Sequence, residues 1–213
     1  MSILSKFNFR IKQYGFTNLM RILVKKTLQK PGYFHDEYIL YQTDLRNGPP
    51  PLRQLPPGFT NRQLELKDFI QSAIIEFEPA KIDLYKRRLD SGNYLAYGIF
   101  KEQHLVYYFW LSLKEVELPE HMAEKSTLEV GPDEGYLADG YCHPDYRGQG
   151  FHGYMGSFLM HLISKMGRHY ATTIIMKENR AARKSQEKIG FTPLTKIEFK
   201  GFGKHARFIT SPY

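Results

Sequence analysis

One stretch, residues 136–166, restricts this chain more than any other. Tyr136 to Cys142 reads as a strand, His143 to Gly150 as a turn rich in glycine and proline, and Phe151 to Met166 as the best helix in the sequence. The apolar residues of that helix, Phe151, Tyr154, Met155, Phe158, Leu159, Leu162, Ile163 and Met166, recur at three- and four-residue steps, the spacing of a single helix face. Where a strand ends, a glycine turn follows and a helix opens, several backbone N–H groups and the positive helix end converge on one point. Such a point suits an anion. Glycines let a ligand approach the backbone, and Arg147 adds a full charge beside it.

The other elements are arranged around this unit. Residues 3–30 read as two amphipathic helices: Leu4, Phe7, Ile11 and Tyr14 share a face, Gly15 breaks the pattern, and Thr17 caps a second helix carrying Met20, Leu23, Val24 and Leu28. A strand over Tyr38 to Leu45 leads into five prolines within residues 49–58, too many for a helix or an inner strand. The chain is therefore expected to divide into a helical arm plus strand (1–48), a stiff connector (49–58) and a main domain (59–213). In that domain the pattern predicts a strand over Phe59 to Leu66, a helix over Lys67 to Phe77 with Phe69, Ile70, Ala73 and Ile74 inward, and a helix over Pro79 to Leu89. An aromatic hairpin follows, Tyr94 to Phe100 with His104 to Leu113, then a polar excursion from Lys114 to Gly135. Beyond the long helix come a strand over Ala171 to Met176, a helix over Asn179 to Ile189, and closing strands over Phe191 to Lys200 and Ala206 to Thr210.

Charge is concentrated at the front. The formal net charge is +8, yet seven of the 30 basic residues lie in residues 1–35 before the first acidic one, Asp36, so 23 basic and 22 acidic residues share the remainder. A basic face on the main domain is not expected, nor is nucleic acid as its partner. Residues 1–35 are expected either to pack on the body as a helical arm with a solvated basic face or to bind an anionic membrane surface or another acidic partner. With Cys142 as the one cysteine, no internal disulfide and no multi-cysteine zinc site can form, and the eight histidines show no tight ligand spacing, so no metal is expected. Arg21 and Lys25 interrupt the apolar stretch around Leu19 to Val24, which leaves neither a spanning segment nor a secretory core. A cytoplasmic protein, peripheral at the inner membrane face at most, is the expectation.

Gly148, Gly150 and Gly153 spell G-x-G-x-x-G, but Pro144 to Arg147 intervene between the strand and the first glycine and only 60 residues follow the last, which does not suit a dinucleotide-binding array. The residues around it match something else. Arg147-x-x-Gly150 opening a helix, after a strand ending in Cys142-x-Pro144, resembles the coenzyme A pyrophosphate loop of the GNAT acetyltransferase superfamily. Asn179-x-x-Ala182 followed by Glu187-Lys188-Ile189-Gly190-Phe191 resembles that family's second signature, one strand and one helix further on. The resemblance covers about residues 55–200 and implies an α/β fold of the α+β type: a mixed, mainly antiparallel sheet flanked by helices and splayed where strand 136–142 leaves strand 171–176. It implies acetyl-CoA in that cleft, with its pyrophosphate on the backbone of Arg147, Gly148, Gln149, Gly150, His152 and Gly153, and its pantetheine arm along Tyr141 and Cys142. The Cys142 amide would then donate to the thioester oxygen, and Asn179 would hold the arm or the next helix.

The chain also departs from the pattern. His152 stands at the loop position where the family carries Gly or Ala, so its imidazole must turn from the cofactor or touch a phosphate. Gln186 occupies the place of the family's usual acid tyrosine and cannot protonate a leaving thiolate; Tyr141, Tyr146 and Tyr154 are the nearby substitutes. An attacking amine needs a base or a water chain ending in a carboxylate. Asp139 is the first candidate, three residues before Cys142, with Glu129 and Glu134 as alternatives. Trp110, Tyr107 and Tyr108 are candidates to line an acceptor pocket. The expected activity is direct transfer of an acetyl group from acetyl-CoA to a primary amine, of a protein, a free small molecule or an anionic amino sugar on a nucleotide or lipid carrier. The alternative is a non-catalytic coenzyme A-binding module docked through the basic arm.

Overall fold

The computed structural model describes residues 33–117, 127–202 and 207–213, together with Met20, Val24 and Thr27. The amphipathic helices expected over residues 3–30, and the surface-binding role expected of residues 1–35, fall outside the described residues except at those three positions, which are helical and exposed, and at residues 33–35. Part of the polar excursion, residues 118–126, falls outside them as well. In chain order the elements are β1 (Tyr33–Asp44), β2 (Phe59–Gln63), α1 (Leu66–Ile70), α2 (Pro79–Asp90), β3 (Tyr94–Lys101), β4 (His104–Ser112), β5 (Glu115–Glu117), β6 (Thr127–Glu129) and β7 (Glu134–Cys142), followed by α3 (Phe151–Lys165), β8 (Tyr170–Met176), α4 (Arg180–Glu187), β9 (Thr192–Phe202) and β10 (Arg207–Pro212). None of the described helices is long and apolar enough to cross a membrane.

Two compact units emerge. One comprises residues 43–116 and 127–173, and the other residues 1–42, 117–126 and 174–213. In the first unit the strands run in the order β2, β3, β4, β7 and the start of β8, antiparallel until the last pair, which is parallel. Strand β4 is buried along nearly its whole length, which explains why it reads as a continuous apolar run instead of an alternating one. Its Tyr108 and Trp110 join Leu64, Phe69, Tyr85, Tyr94 and Phe100 in one core cluster. Tyr107 and Phe109 point the other way, toward Phe151 and His152 of α3.

Helix α1 is shorter than its periodicity predicts. Glu65 and Asp68 form a reciprocal capping box that starts it, but the chain leaves the helix at Gln71. Ser72 Oγ then accepts from the Ile75 N–H at 3.2 Å, and Glu78, which precedes Pro79, is extended with ψ 148°. Ile70 and Ala73 are consequently exposed, while Ile75 is buried and Phe77 packs against the cluster in their place. The proline-rich stretch lies on α3: the Arg53 N–H donates to Ser157 Oγ at 3.2 Å, and the Arg53 guanidinium stands against Gly153.

In the second unit β1, β9 and β10 pair antiparallel. The β1–β9 register slips between Leu40 and Tyr41, opposite Pro193, which has no N–H to give the ladder. Phe199 is buried among Phe34, Tyr38 and Phe208. Helix α4 is tied to β1 through Tyr41, whose hydroxyl donates to Glu187 at 2.9 Å and accepts from Arg183 at 2.9 Å.

Candidate active site

Every residue of the glycine turn lies in the first unit. After β7, Pro144–Tyr146 make one 3-10 turn, and Gly148 and Gly150 both take φ 82°, a left-handed conformation that glycine enters without strain. Gly150 is the N-cap of α3 and brings no side chain to the first-turn amides, so the opening N–H groups of this 15-residue helix have no side-chain cap. His152 turns away from them. Its Nδ1 lies 2.8 Å from the Tyr107 hydroxyl and its ring packs on Phe109, so the imidazole departing from the family pattern is taken up by β4. Arg53 comes within 2.8 Å of the place a β-carbon on Gly153 would occupy, a second guanidinium beside the loop that connector composition did not suggest.

At Cys142 the strand supplies the next part. Backbone N–H groups alternate between the two edges of a strand. The His143 N–H goes to Val106 O on the β4 side, at 2.9 Å, so the Cys142 N–H and C=O face the opposite edge. On that edge the parallel register with β8 covers only Glu134–Tyr136 against Tyr170–Thr172, and Thr173 Oγ1 caps the Leu137 carbonyl at 2.8 Å. Arg147 reaches the same edge, its Nε donating to Cys142 O at 3.2 Å. The Cys142 amide and the Arg147 guanidinium are thus on the same edge of β7, the one away from β4. The Cys142 thiol is pushed up to about 11, chiefly by burial, against a smaller downward pull from Arg147, so the sulfur stays protonated and inert at neutral pH.

Asp139 lies at a bulge. Trp110 pairs with Ala138 and Tyr108 with Tyr141, so Asp139 and Gly140 together oppose Phe109, and Asp139 takes φ 47°. Its carboxylate is gripped from α2. Tyr85 OH stands 2.9 Å from Oδ2, Arg88 donates to Oδ2 at 3.0 Å, and Lys81 Nζ lies 3.5 Å from Oδ1. Lys81, Tyr85 and Arg88 are spaced i, i+4, i+7 on α2, a spacing visible in the sequence that puts all three on one helix face. Burial first, and then the Asp139 charge, raise the pKa of both Tyr85 and Tyr108, whose hydroxyls are 3.0 Å apart. Tyr141 stacks on Tyr108 with ring centroids 5.8 Å apart, on the Asp139 side of the sheet.

The remaining candidates scatter. Glu129 is exposed at the end of β6, and no described contact joins it to Asp139. Glu134 Oε2 accepts from the Gly131 N–H within its own turn, at 3.4 Å. Trp110 is fully buried and stacked on Phe69, which makes it core instead of pocket lining. Tyr146 packs on Phe59 and His143, and the Tyr154 hydroxyl accepts from Asn61 at 3.3 Å. In the second unit Asn179 is the N-cap of α4, its Oδ1 accepting from the Ala182 N–H at 3.2 Å, and Gln186 is buried with no partner for Oε1 among the described residues. No group of three described His, Cys, Asp or Glu residues is placed to hold a metal ion.

No family model matches the sequence, and no curated protein does. Solved structures match. A Drosophila protein superposes on 86% of this chain at TM-score 0.58 and 14% identity, and a GCN5-related N-acetyltransferase from Sphaerobacter thermophilus on 86% at TM-score 0.54 and 13% identity. An acetyltransferase from the GNAT family of Colwellia psychrerythraea superposes on 86% at TM-score 0.53 and 14% identity. The chain spans 56%, 55% and 59% of those three chains, little more than half their length. What is shared at this identity is the fold. The mixed, mainly antiparallel sheet flanked by helices that the two sequence signatures implied is the fold of GNAT acetyltransferases.

Proposed function

We propose that this chain is an acyl-coenzyme A-dependent N-acyltransferase that moves an acetyl group from acetyl-CoA to a primary amine by direct attack. One observation carries the reading: the Cys142 N–H lies on the edge of β7 that faces away from β4, beside Arg147, a few residues before the uncapped amides of α3. Amides at a helix N-terminus without a side-chain cap, with guanidinium groups beside them, fit a pyrophosphate. A strand-edge amide fits the oxygen on which charge develops when a thioester is attacked.

In this reading the amides of Gly148 to Gly153 and the Arg147 side chain hold the pyrophosphate, and the Cys142 N–H donates to the thioester oxygen. Bound acetyl-CoA supplies an activated acyl group with a thiol leaving group. Asp139, directly or through water, takes the proton that the incoming ammonium must lose. A thiol with a pKa of roughly 8.5 leaves without full protonation, so Gln186 in the acid's usual place does not stop the reaction.

The buried Gln186 favours a second reading, a module that binds coenzyme A without turning it over. Thermal unfolding of the full chain separates these possibilities from a dinucleotide site. Acetyl-CoA should raise the midpoint in proportion to its concentration. NADH and NADPH should not, and Gly150→Trp should abolish the rise. Release of free thiol with a panel of primary amines then distinguishes the enzyme from the module; a rise with NADH alone sinks both.

A further inference from the structure

We propose that Lys81 is a self-acetylation site, with its ammonium seated where an acceptor amine would be activated. The inference rests on the coenzyme A reading above and on the Asp139 cluster. Lys81 Nζ lies 3.5 Å from Asp139 Oδ1, and 5.5 Å and 5.8 Å from the ring centroids of Tyr85 and Tyr108. A carboxylate and two aromatic faces make a seat for a cation. Here the protein's own lysine fills it.

Among the described residues, Lys81 is the one nucleophile of the cluster. Arg88 also bonds Asp139, but its guanidinium is 9% exposed and packs against Tyr85, Tyr94 and Trp110, and an arginine does not give up its proton. The Tyr85 and Tyr108 hydroxyls are held protonated by burial and by the Asp139 charge. Lys81 stands on the first turn of α2 with its side chain 40% exposed, so solvent reaches its stem. Asp139 precedes Cys142 by three residues, on the order of 10 Å along β7, and a lysine stem covers much of that path. The Cys142 amide marks where the thioester oxygen would be held.

The step balances with acetyl-CoA alone. The Lys81 ammonium gives a proton to Asp139 or to water on it, and the free Nζ attacks the acetyl carbonyl carbon. The N–C bond forms as the C–S bond breaks, coenzyme A leaves as a thiolate and is protonated, and one proton goes to solvent. The product is an uncharged amide. Asp139 is then left with Arg88 and Tyr85, and the seat on the two rings no longer holds a cation, so acetylation of Lys81 changes what the site offers an acceptor.

The full chain, incubated with acetyl-CoA, should gain an acetyl group at Lys81 by peptide mass spectrometry. Lys67 is the built-in control, since its side chain is 63% exposed in a surface ion pair with Glu65 and reports simple chemical acetylation. Lys81 should be labelled faster than Lys67 by about tenfold or more, as expected for a positioned amine, and its rate constant should not change on dilution of the protein. Asp139→Asn should slow the Lys81 label and leave the Lys67 label unchanged. Label spread over exposed lysines, a rate constant that falls on dilution, or no Lys81 label in protein that acetyl-CoA stabilises against heat would overturn the proposal alone. Failure of acetyl-CoA to stabilise the protein would overturn the coenzyme A reading, and this one with it.

Discussion

Asp139 shows two requirements falling on one residue. A φ of 47° is tolerated by Gly, Asn and Asp and by little else, and the carboxylate must also answer Arg88, a cation 9% exposed on α2. The coupling has a measurable size. Arg88→Met keeps the length of the side chain and removes the charge, and should cost about 1–2 kcal/mol, less than for a fully buried pair because the Asp139 side chain is 26% exposed. Asp139→Asn keeps the left-handed bulge and no longer needs a cation. The double variant should therefore be more stable than the sum of the two losses, by urea unfolding. Strict additivity would mean that Arg88 serves only to pack between Tyr94 and Trp110.

Among the elements, β1 carries a second charge cluster whose sign can be worked through. Partial burial alone would raise the Glu37 carboxyl, but Lys177 Nζ at 2.8 Å and Lys196 Nζ at 3.0 Å outweigh it and bring its pKa down to about 2. Folding depresses this pKa, so the ion pairs contribute their full stability above the usual 4.5 and lose it as pH falls from there toward 2. Glu37→Gln should flatten the acid limb of the stability curve over that window while leaving stability near pH 7 slightly lower. An unchanged limb would put the acid sensitivity elsewhere. Nothing in residues 33–44 alone announces this, because Lys177 and Lys196 reach Glu37 from 140 and more positions away. What sequence can show is local pattern: α3 was legible because its apolar residues repeat at one period, and the β3–β4 hairpin because two aromatic-rich apolar runs flank a short polar turn. Helix α1 was not, because a hydroxyl at Ser72 and a proline at 79 outweigh an apolar pattern that otherwise runs on to Phe77. The pyrophosphate loop could be read as glycines between a strand and a helix. The grip of α2 on Asp139 required knowing that residues 81–88 and 139 share one face of the sheet.

Across the whole molecule, charge and the candidate site are assigned to different parts of the chain. The loop, Cys142 and the Asp139 cluster all fall within residues 43–173, whereas seven of the 30 basic residues fall in residues 1–35, ahead of any acidic one. If an anionic membrane surface is the partner of residues 1–35, binding should depend on those seven charges and not on the site. Each basic residue near an anionic leaflet contributes on the order of 1 kcal/mol, and the attraction is lost within a Debye length. The full chain should then sediment with vesicles containing phosphatidylserine at low salt, release as salt rises, and ignore vesicles of phosphatidylcholine alone. Replacing Lys6, Arg10, Lys12, Arg21, Lys25, Lys26 and Lys30 by Gln should abolish the sedimentation and leave the thermal stabilisation by acetyl-CoA unchanged. Vesicle binding that survives those replacements would move the anionic partner to the main body, where 23 basic residues face 22 acidic ones and no net attraction is expected. Loss of acetyl-CoA stabilisation together with vesicle binding would show instead that the basic segment and the cofactor site act as one.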